Sequence, residues 1–279
     1  MVIILNIINR IFSGTKKCLA LIRGSIMEGL TFRTGTIVSI IGNLIYLVII
    51  YFLWKAIYAS SPTDVVNGMT FYDTLVYLVL AAAMFNFLDS FVVWDIGRSY
   101  QTGELVELLV KPMDYQIYLF FSHFGNNIVA FVTTFVPTFV IIYFVTNGSF
   151  ALGINLIFFM ISIIFAIFIN FCVDFFVGVI CFYTQSIWGV NIMKEVVVSL
   201  LSGATIPLAF FPEKLRTIVE LMPFQAIYHT PLHILTDKSL TMMDYLQCVG
   251  IQLFWVVAIF LISKAFWKRS MRILTVNGG

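Results

Sequence analysis

The sequence predicts an all-α polytopic membrane protein with six transmembrane helices. Of its 279 residues, 61% are hydrophobic and only 11% are charged, and the mean hydropathy of +1.00 lies far outside the soluble range. Apolar runs of about 18 residues or more recur, and each can cross ~30 Å of hydrocarbon. The ten-residue alternation typical of a transmembrane β-barrel does not occur in the sequence.

The six predicted spans form one membrane domain, residues 36–267, between a cytosolic N-terminal segment (1–35) and a cytosolic tail (268–279). The spans are expected at residues 36–58, 70–96, 116–145, 151–182, 187–210 and 245–267. Residues 15–33 carry a leucine and isoleucine stripe beside basic residues, which predicts a helix lying in the membrane interface. Pro137 is expected to kink the third span, and the long fourth span is expected to tilt.

The distribution of basic residues predicts the orientation. With both termini inside, only four of the 16 Lys and Arg side chains face outward, namely Lys55, Lys214, Arg216 and Lys238. Cytoplasmic loops of membrane proteins carry the excess of Lys and Arg. Both termini, and the loop 97–115 between the second and third spans, are therefore predicted to be cytosolic.

The loop 97–115 is the longest polar stretch between two spans. Residues 104–110 predict a short amphipathic helix, with Leu105, Leu108 and Leu109 on one face and Glu104, Glu107 and Lys111 marking the other. Pro112 ends this helix, because proline lacks the N–H group and disfavours helix in the preceding residue. Two interpretations remain equally open: a helix that docks on a soluble partner, and an ordinary interfacial helix.

The loop between the fifth and sixth spans, residues 207–237, is the second informative region. Pro212 can open a helix of about ten residues that Pro223 ends, and a second short helix is expected over 224–235. Neither is long enough to cross a bilayer. They are predicted to form either an outer re-entrant pair that bounds an exit path or an amphipathic loop that rests on lipid.

Polar groups inside the spans are costly and require an explanation. Asn86 and Asp89 share one helix face, and Asp174 could pair with Lys194 of a neighbouring helix. Such groups either line a substrate path or have a structural role, such as pairing between helices, and the structural role is favoured. His229, His233 and Asp237 have helical metal-ligand spacing, but Pro231 would distort the helix, so no metal site is predicted.

No motif for catalysis or nucleotide binding emerges. The G-x-x-x-x-G stretch from Gly24 to Gly29 is followed by Leu30 and Thr31 rather than by Lys and Ser or Thr, so no phosphate-binding loop is predicted. The net charge of +2 lacks a dense basic cluster, which argues against nucleic acid as a partner.

Two stretches together resemble a known family. GELVELLVKPMDYQIY resembles the cytosolic loop after the second span of ABC type-2 transporter permeases, where a glycine, leucines and Lys-Pro precede the third span. SGATIPLAFFPEKLRTIVELMPFQAIYHTPLHIL resembles the segment from span five into the outer loop, in the subgroup with paired permeases. The matching positions are Ser202-Gly203, Pro207-Leu208, Phe211-Pro212 and Pro223-Phe224.

The resemblance implies a non-catalytic membrane subunit of an ABC exporter in the plasma membrane. It would pair with a second permease protomer, identical or paralogous, and with two ATP-binding subunits that carry the ATP and magnesium. The residues implied in coupling to the ATPase are Gly103, Glu104, Leu105, Glu107, Leu108, Leu109, Lys111 and Pro112, with the three leucines filling its groove. The outer re-entrant region would comprise Pro207, Phe211, Pro212, Pro223 and Phe224, and Asn86, Asp89 and Asp174 are the candidate path or interhelical groups.

Other functions stay open at the level of sequence. An amphipathic or lipid-like substrate agrees with the 29 Phe residues. A secondary, ion-coupled carrier would need broken helices within its spans. A lipid-modifying enzyme would need paired catalytic groups at one depth, such as Asp89 with His123. A third alternative is a non-transporting subunit that anchors an ATPase or confers immunity.

Overall fold

The computed structural model describes residues 2–31, 33–146, 153–184 and 186–272, and this part of the chain is almost wholly helical. The α-helices are α1 (Val2–Thr31), α2 (Arg33–Ala59), α3 (Phe71–Leu88), α4 (Val92–Thr102), α5 (Leu105–Val110), α6 (Tyr115–Ala130), α7 (Val136–Val145), α8 (Ile154–Thr184), α9 (Ile187–Leu201), α10 (Glu213–Glu220), α11 (His229–Thr236) and α12 (Met242–Ser270). Two short strands, β1 (Val65–Val66) and β2 (Met69–Thr70), pair antiparallel around a turn at Asn67 and Gly68 with positive φ. This hairpin joins α2 to α3.

Within the described residues, five helical segments are long and apolar enough to cross a membrane. They are Ile41–Ala59, Phe71–Thr102, Tyr115–Val145, Ile154–Thr184 and Met242–Ser270. The polytopic all-helical class is thereby confirmed, whereas the count of six stays a prediction. The predicted fifth span forms α9, which has 15 residues and ends at Leu201 rather than at residue 210.

The early end of α9 has a local cause. Gly203 adopts a φ of +81°, and its carbonyl accepts a hydrogen bond of 3.0 Å from Tyr77 Oη. A left-handed glycine just past the last helical turn is a common helix terminator. Residues 204–212 then run through one short 3-10 turn, Leu208–Phe210, to α10.

The predicted second span is broken. α3 ends at Leu88 and α4 begins at Val92, so three residues interrupt what the sequence predicts as one helix. The Nδ2 atoms of Asn127 and Asn170 donate to the carbonyls of Phe87 and Leu88, at 2.6 and 2.7 Å. Since lipid offers no partner to a freed carbonyl, these two amides are what allow the break at this depth.

The third span is also irregular. A π-helical turn, Phe131–Phe135, joins α6 to α7 just before Pro137, where the sequence predicts an irregularity. The hydroxyls of Thr133, Thr134 and Thr138 each donate to the carbonyl four residues earlier, at 2.7–2.8 Å. Hydroxyl bonds of this kind satisfy carbonyls near a proline within a membrane helix.

α8 lies at the centre of the bundle, packed against α4, α11 and α12. Buried aromatic side chains fill the interior, and Phe87, Phe135 and Phe175 are all at most 2% exposed. α1 lies along α6 and crosses it closely at Gly125, where an added Cβ would overlap Ser25 Oγ and the carbonyl of Ile22.

Candidate functional site

The first candidate site is α5, the short helix between the second and third spans. α4 ends at Gly103, whose φ of +81° turns the chain, and α5 follows over Leu105–Val110. Asp114 then caps α6, its carboxylate accepting from the N–H of Ile117 at 3.3 Å. The predicted short amphipathic helix is therefore present.

The leucine face of α5 points into the protein. Leu105 is 1% exposed, and Leu108 and Leu109 pack against the same hydrophobic core. Leu108 and Leu109 are only partly buried, so the role of the three leucines in filling a partner's groove stays a prediction. Leu105 itself is covered by the chain's own helices and has almost no surface left for a partner.

The outward side of α5 carries both apolar and charged groups. Val106 is 39% exposed and Val110 is 80% exposed, four residues apart, and Glu107 and Lys111 are exposed beside them. Residues at i and i+4 lie on one helix face. We call Val106, Glu107, Val110 and Lys111 the α5 face; Gly103, Glu104 and Pro112 are exposed at its two ends.

An ion pair and contacts of Lys111 with an aromatic side chain hold the loop in place. Lys111 Nζ lies 2.9 Å from Tyr118 Oη and 4.2 Å from the centre of the Tyr118 ring. Lys264 of α12 lies 3.3 Å from Asp114. These contacts are exposed and individually weak, but together with buried Leu105 they fix the direction of the α5 face.

The second candidate site is a cavity of about 430 Å³ in the middle of the spans. It is lined by residues of α2, α3, α8, α9 and the segment that follows α9, and we call it the polar cavity. Its polar and aromatic wall consists of Asn43, Tyr46, Phe85, Asn86, Asp89, Asn170, Lys194, Glu195, Ser199, Thr205 and Tyr228. The structure thus places Asn86 and Asp89 on the wall of one cavity.

Asp174 lies directly behind this wall and is fully buried. Its Oδ1 lies 3.0 Å from Lys194 Nζ, which confirms the pair that the sequence suggests. Oδ2 accepts hydrogen bonds from Ser90 Oγ at 2.5 Å and from Asn170 Nδ2 at 3.3 Å. Asp174 therefore joins α8 to α9 and to the break after α3, which is an interhelical role.

The region between α9 and α12 differs in part from its prediction. Pro212 precedes α10 as expected, but Pro223 opens a 3-10 turn, Pro223–Ala226, and the expected helix 224–235 begins only at His229. Phe224 packs on the core, and Pro207 lines a second cavity. Gln252 of α12 donates to the carbonyl of Ala226 at 2.8 Å, which anchors the 3-10 turn in the bundle.

His229, His233 and Asp237 contact one another in sequence order, whereas His123 does not lie beside Asp89. The rings of His229 and His233 stack 5.6 Å apart, and His233 Nδ1 lies 3.7 Å from Asp237. Burial, with smaller effects of His233 and Arg216, lowers the pKa of His229 to about 3. His123 lies 3.0 Å from Asp95 and not in the polar cavity with Asp89, so the structure does not form the pair considered for an enzyme.

Sequence reasoning missed three contributors to these sites. Asn127 and Asn170 support the helix break, and Val110 dominates the exposed side of α5. For the two asparagines, the available signal was an amide within an apolar run, since buried amides need partners.

Comparison with known proteins supports the resemblance. The family model of the ABC-2 family transporter proteins matches residues 44–278, which contain α5, α10, α11 and most of the residues that line the polar cavity. No curated protein matches the sequence. The family match covers well over half of the chain and leaves out only α1 and the first part of α2 among the helices described above. The chain therefore belongs to the ABC-2 family of transporter proteins.

Proposed function

We propose that this chain is the membrane permease subunit of an ATP-driven exporter and that α5 couples it to a separate ATP-binding subunit. The observation that carries the proposal is the two-sided character of α5. One side is seated in the core through Leu105, and the other exposes Val106 and Val110 between charged residues. A surface with exposed apolar side chains rimmed by charge is typical of a protein interaction site.

The geometry supports mechanical coupling through the break in the second span. α5 follows α4, and α4 packs on both α8 and α9, which carry the two members of the buried Asp174–Lys194 pair. A displacement of α5 would move α4 as a rigid helix, with the three residues between α3 and α4 as the hinge. ATP binding would favour the outward-open arrangement only through tighter binding of the ATPase pair to that state.

The remaining features of the assembly are part of the same proposal. The chain would lie in a bacterial-type plasma membrane with both termini cytosolic, beside a second permease protomer, with ATP and magnesium held by the partner subunits. α9 would complete six spans together with the segment that follows it. α10 exposes Leu215, Ile218 and nearby Leu221 at three-residue spacing, which favours a helix resting on the outer lipid surface over a re-entrant one.

The test uses a charge on the α5 face. Val110→Asp places a carboxylate at a side chain that is 80% exposed, so folding should be unaffected. We expect the variant to insert and to lose ATP-driven transport by at least about tenfold, which corresponds to about 1.4 kcal/mol of lost coupling. Val65→Asp, at a half-exposed valine in the hairpin, is the matched control and should transport normally. Normal transport by Val110→Asp would contradict the proposal.

One observation favours a second candidate, an ion-coupled carrier. The interruption after Leu88 is a broken helix within a span, beside the carboxylates of Asp89 and Asp174, and this is an arrangement found in secondary transporters. Liposomes containing this chain alone, with a proton or sodium gradient and no ATPase, decide between the two. Gradient-driven transport without ATP would favour the carrier.

A further inference from the structure

We propose that the polar cavity binds the positively charged end of an organic cation, with Asp89 and Glu195 as the counter-charges. This inference rests on the proposed transport function and names the substrate class for it. The exported compound would carry a permanent or protonated ammonium-type charge on an apolar body.

The first step of the argument is the charge of the cavity. Lys194 is the basic residue of its wall, and it is already taken up by Asp174 at 3.0 Å, with side chains that are 7% and 0% exposed. That pair is neutral as a unit. Asp89 and Glu195 remain, and within the described residues neither has a Lys, Arg or His within 4.0 Å. The cavity therefore carries an excess of negative charge.

The second step is the cost of that excess. Glu195 accepts a hydrogen bond of 2.5 Å from Asn191 Nδ2, a neutral donor that orients the carboxylate without cancelling its charge. Charges inside the bilayer are expensive and usually mark a substrate or ion path. A cation that enters the cavity would be attracted by both carboxylates and would recover part of this cost.

The third step is the rest of the wall, which suits an organic cation and not a bare metal ion. Apolar side chains of Ala81, Phe85 and Val198 lie beside the polar groups, and Tyr46 and Tyr228 line the same space. Aromatic faces attract cations. Among the described residues no group of three His, Cys, Asp or Glu is placed to hold a metal. A volume of about 430 Å³ lies in the range that takes a drug-sized molecule.

Binding of a charged probe tests the inference directly. The purified chain in nanodiscs, without any ATPase, is incubated with radiolabelled tetraphenylphosphonium, and tetraphenylborate serves as a probe of similar shape and opposite charge. Empty nanodiscs give the partition of each probe into lipid. We expect saturable binding of the phosphonium and at least tenfold weaker binding of the borate. Equal binding of the two ions, or no saturable phosphonium binding, would overturn the proposal.

Variants locate the bound cation. Asp89→Asn and Glu195→Gln should each weaken phosphonium binding by about tenfold, whereas Glu195→Asp, which keeps the charge, should retain most of it. Asp64→Asn removes an exposed carboxylate outside the cavity and should change nothing. Thermal unfolding of each variant establishes that it is folded. Unchanged binding in the folded Asp89→Asn and Glu195→Gln proteins would also overturn the proposal.

The failures of the two proposals are distinguishable. If Val110→Asp binds the phosphonium like the wild type and loses ATP-driven transport, both proposals stand. If it binds the phosphonium and still transports at the normal rate, the coupling role of α5 fails and the cation site stands. If the wild type transports under ATP but shows no binding that depends on Asp89 or Glu195, the cation site alone fails.

Discussion

The buried ion pair of Asp174 and Lys194 leads to a quantitative prediction about the stability of the protein. Lys194→Met keeps the length and apolar character of the lysine stem but removes the ammonium group that lies 3.0 Å from Asp174. Asp174 is fully buried, and its other donors, Ser90 and Asn170, are neutral. Removing one member of a buried ion pair costs about 3–5 kcal/mol, because the other charge stays behind uncompensated.

The loss should be visible as a lower unfolding temperature. One kcal/mol corresponds to about 2–4 °C in a protein of this size class, so the melting temperature of Lys194→Met should fall by roughly 10 °C. The assay is thermal unfolding in detergent, followed by the monodisperse fraction of a fluorescent fusion. Lys214→Met, at an exposed position of α10, is the matched control and should melt like the wild type.

A double-mutant cycle separates the pair from the loss of side-chain packing. When Asp174→Asn is combined with Lys194→Met, no charge remains unpaired, and most of the stability should return. The interaction energy between the two positions should then exceed about 1 kcal/mol, above the range of independent sites. Two additive losses, or a Lys194→Met protein as stable as the control, would refute the reasoning.

Three further predictions follow from the bundle. Asn127→Ala and Asn170→Ala each leave a carbonyl at the helix break without its donor and should each cost about 1–3 kcal/mol in thermal unfolding, and no loss would contradict the role of these amides. Gly125→Leu should separate α1 from α6 and increase proteolysis of α1. Gly250→Leu is the control, because no atom lies within 4 Å of a Cβ added there. Equal cleavage of the two variants would contradict the close contact between α1 and α6 at Gly125. Burial lowers the pKa of His229 to about 3, so between about pH 6.5 and pH 3 the unfolded state binds a proton that the folded state does not. The free energy of unfolding should therefore fall as the pH drops through this range. His229→Gln should weaken this pH dependence in thermal melts between about pH 4 and 7, and an unchanged slope would contradict the prediction.

The helical class and most span positions could be predicted because hydropathy over a span is a sum over many residues. The predicted second to fourth and sixth spans each correspond to a long apolar helical segment of the structure, and the end of α5 lies before Pro112 as predicted. The Asp174–Lys194 pair could also be proposed, because a charged side chain inside a span has few possible partners other than an opposite charge at the same depth.

The break after α3 could not be predicted because its cause is distant in sequence. Residues Asp89 to Phe91 contain neither proline nor glycine, the usual local signals of an interruption. The break is stabilised by Asn127 of α6 and Asn170 of α8, whose proximity arises only in the folded bundle. The outward side of α5 could not be predicted for a similar reason. Amphipathicity shows that a leucine face is buried, but not whether the chain itself or a partner covers it.

A photo-crosslink from the α5 face tests the central claim most directly. A benzophenone amino acid replaces Val110 in the full chain, and the membrane complex with its ATP-binding subunit is irradiated; the same residue at Val65 of the hairpin is the control. The account predicts an adduct between position 110 and the ATP-binding subunit and none from position 65. No adduct from position 110, or an adduct from position 65, would contradict it.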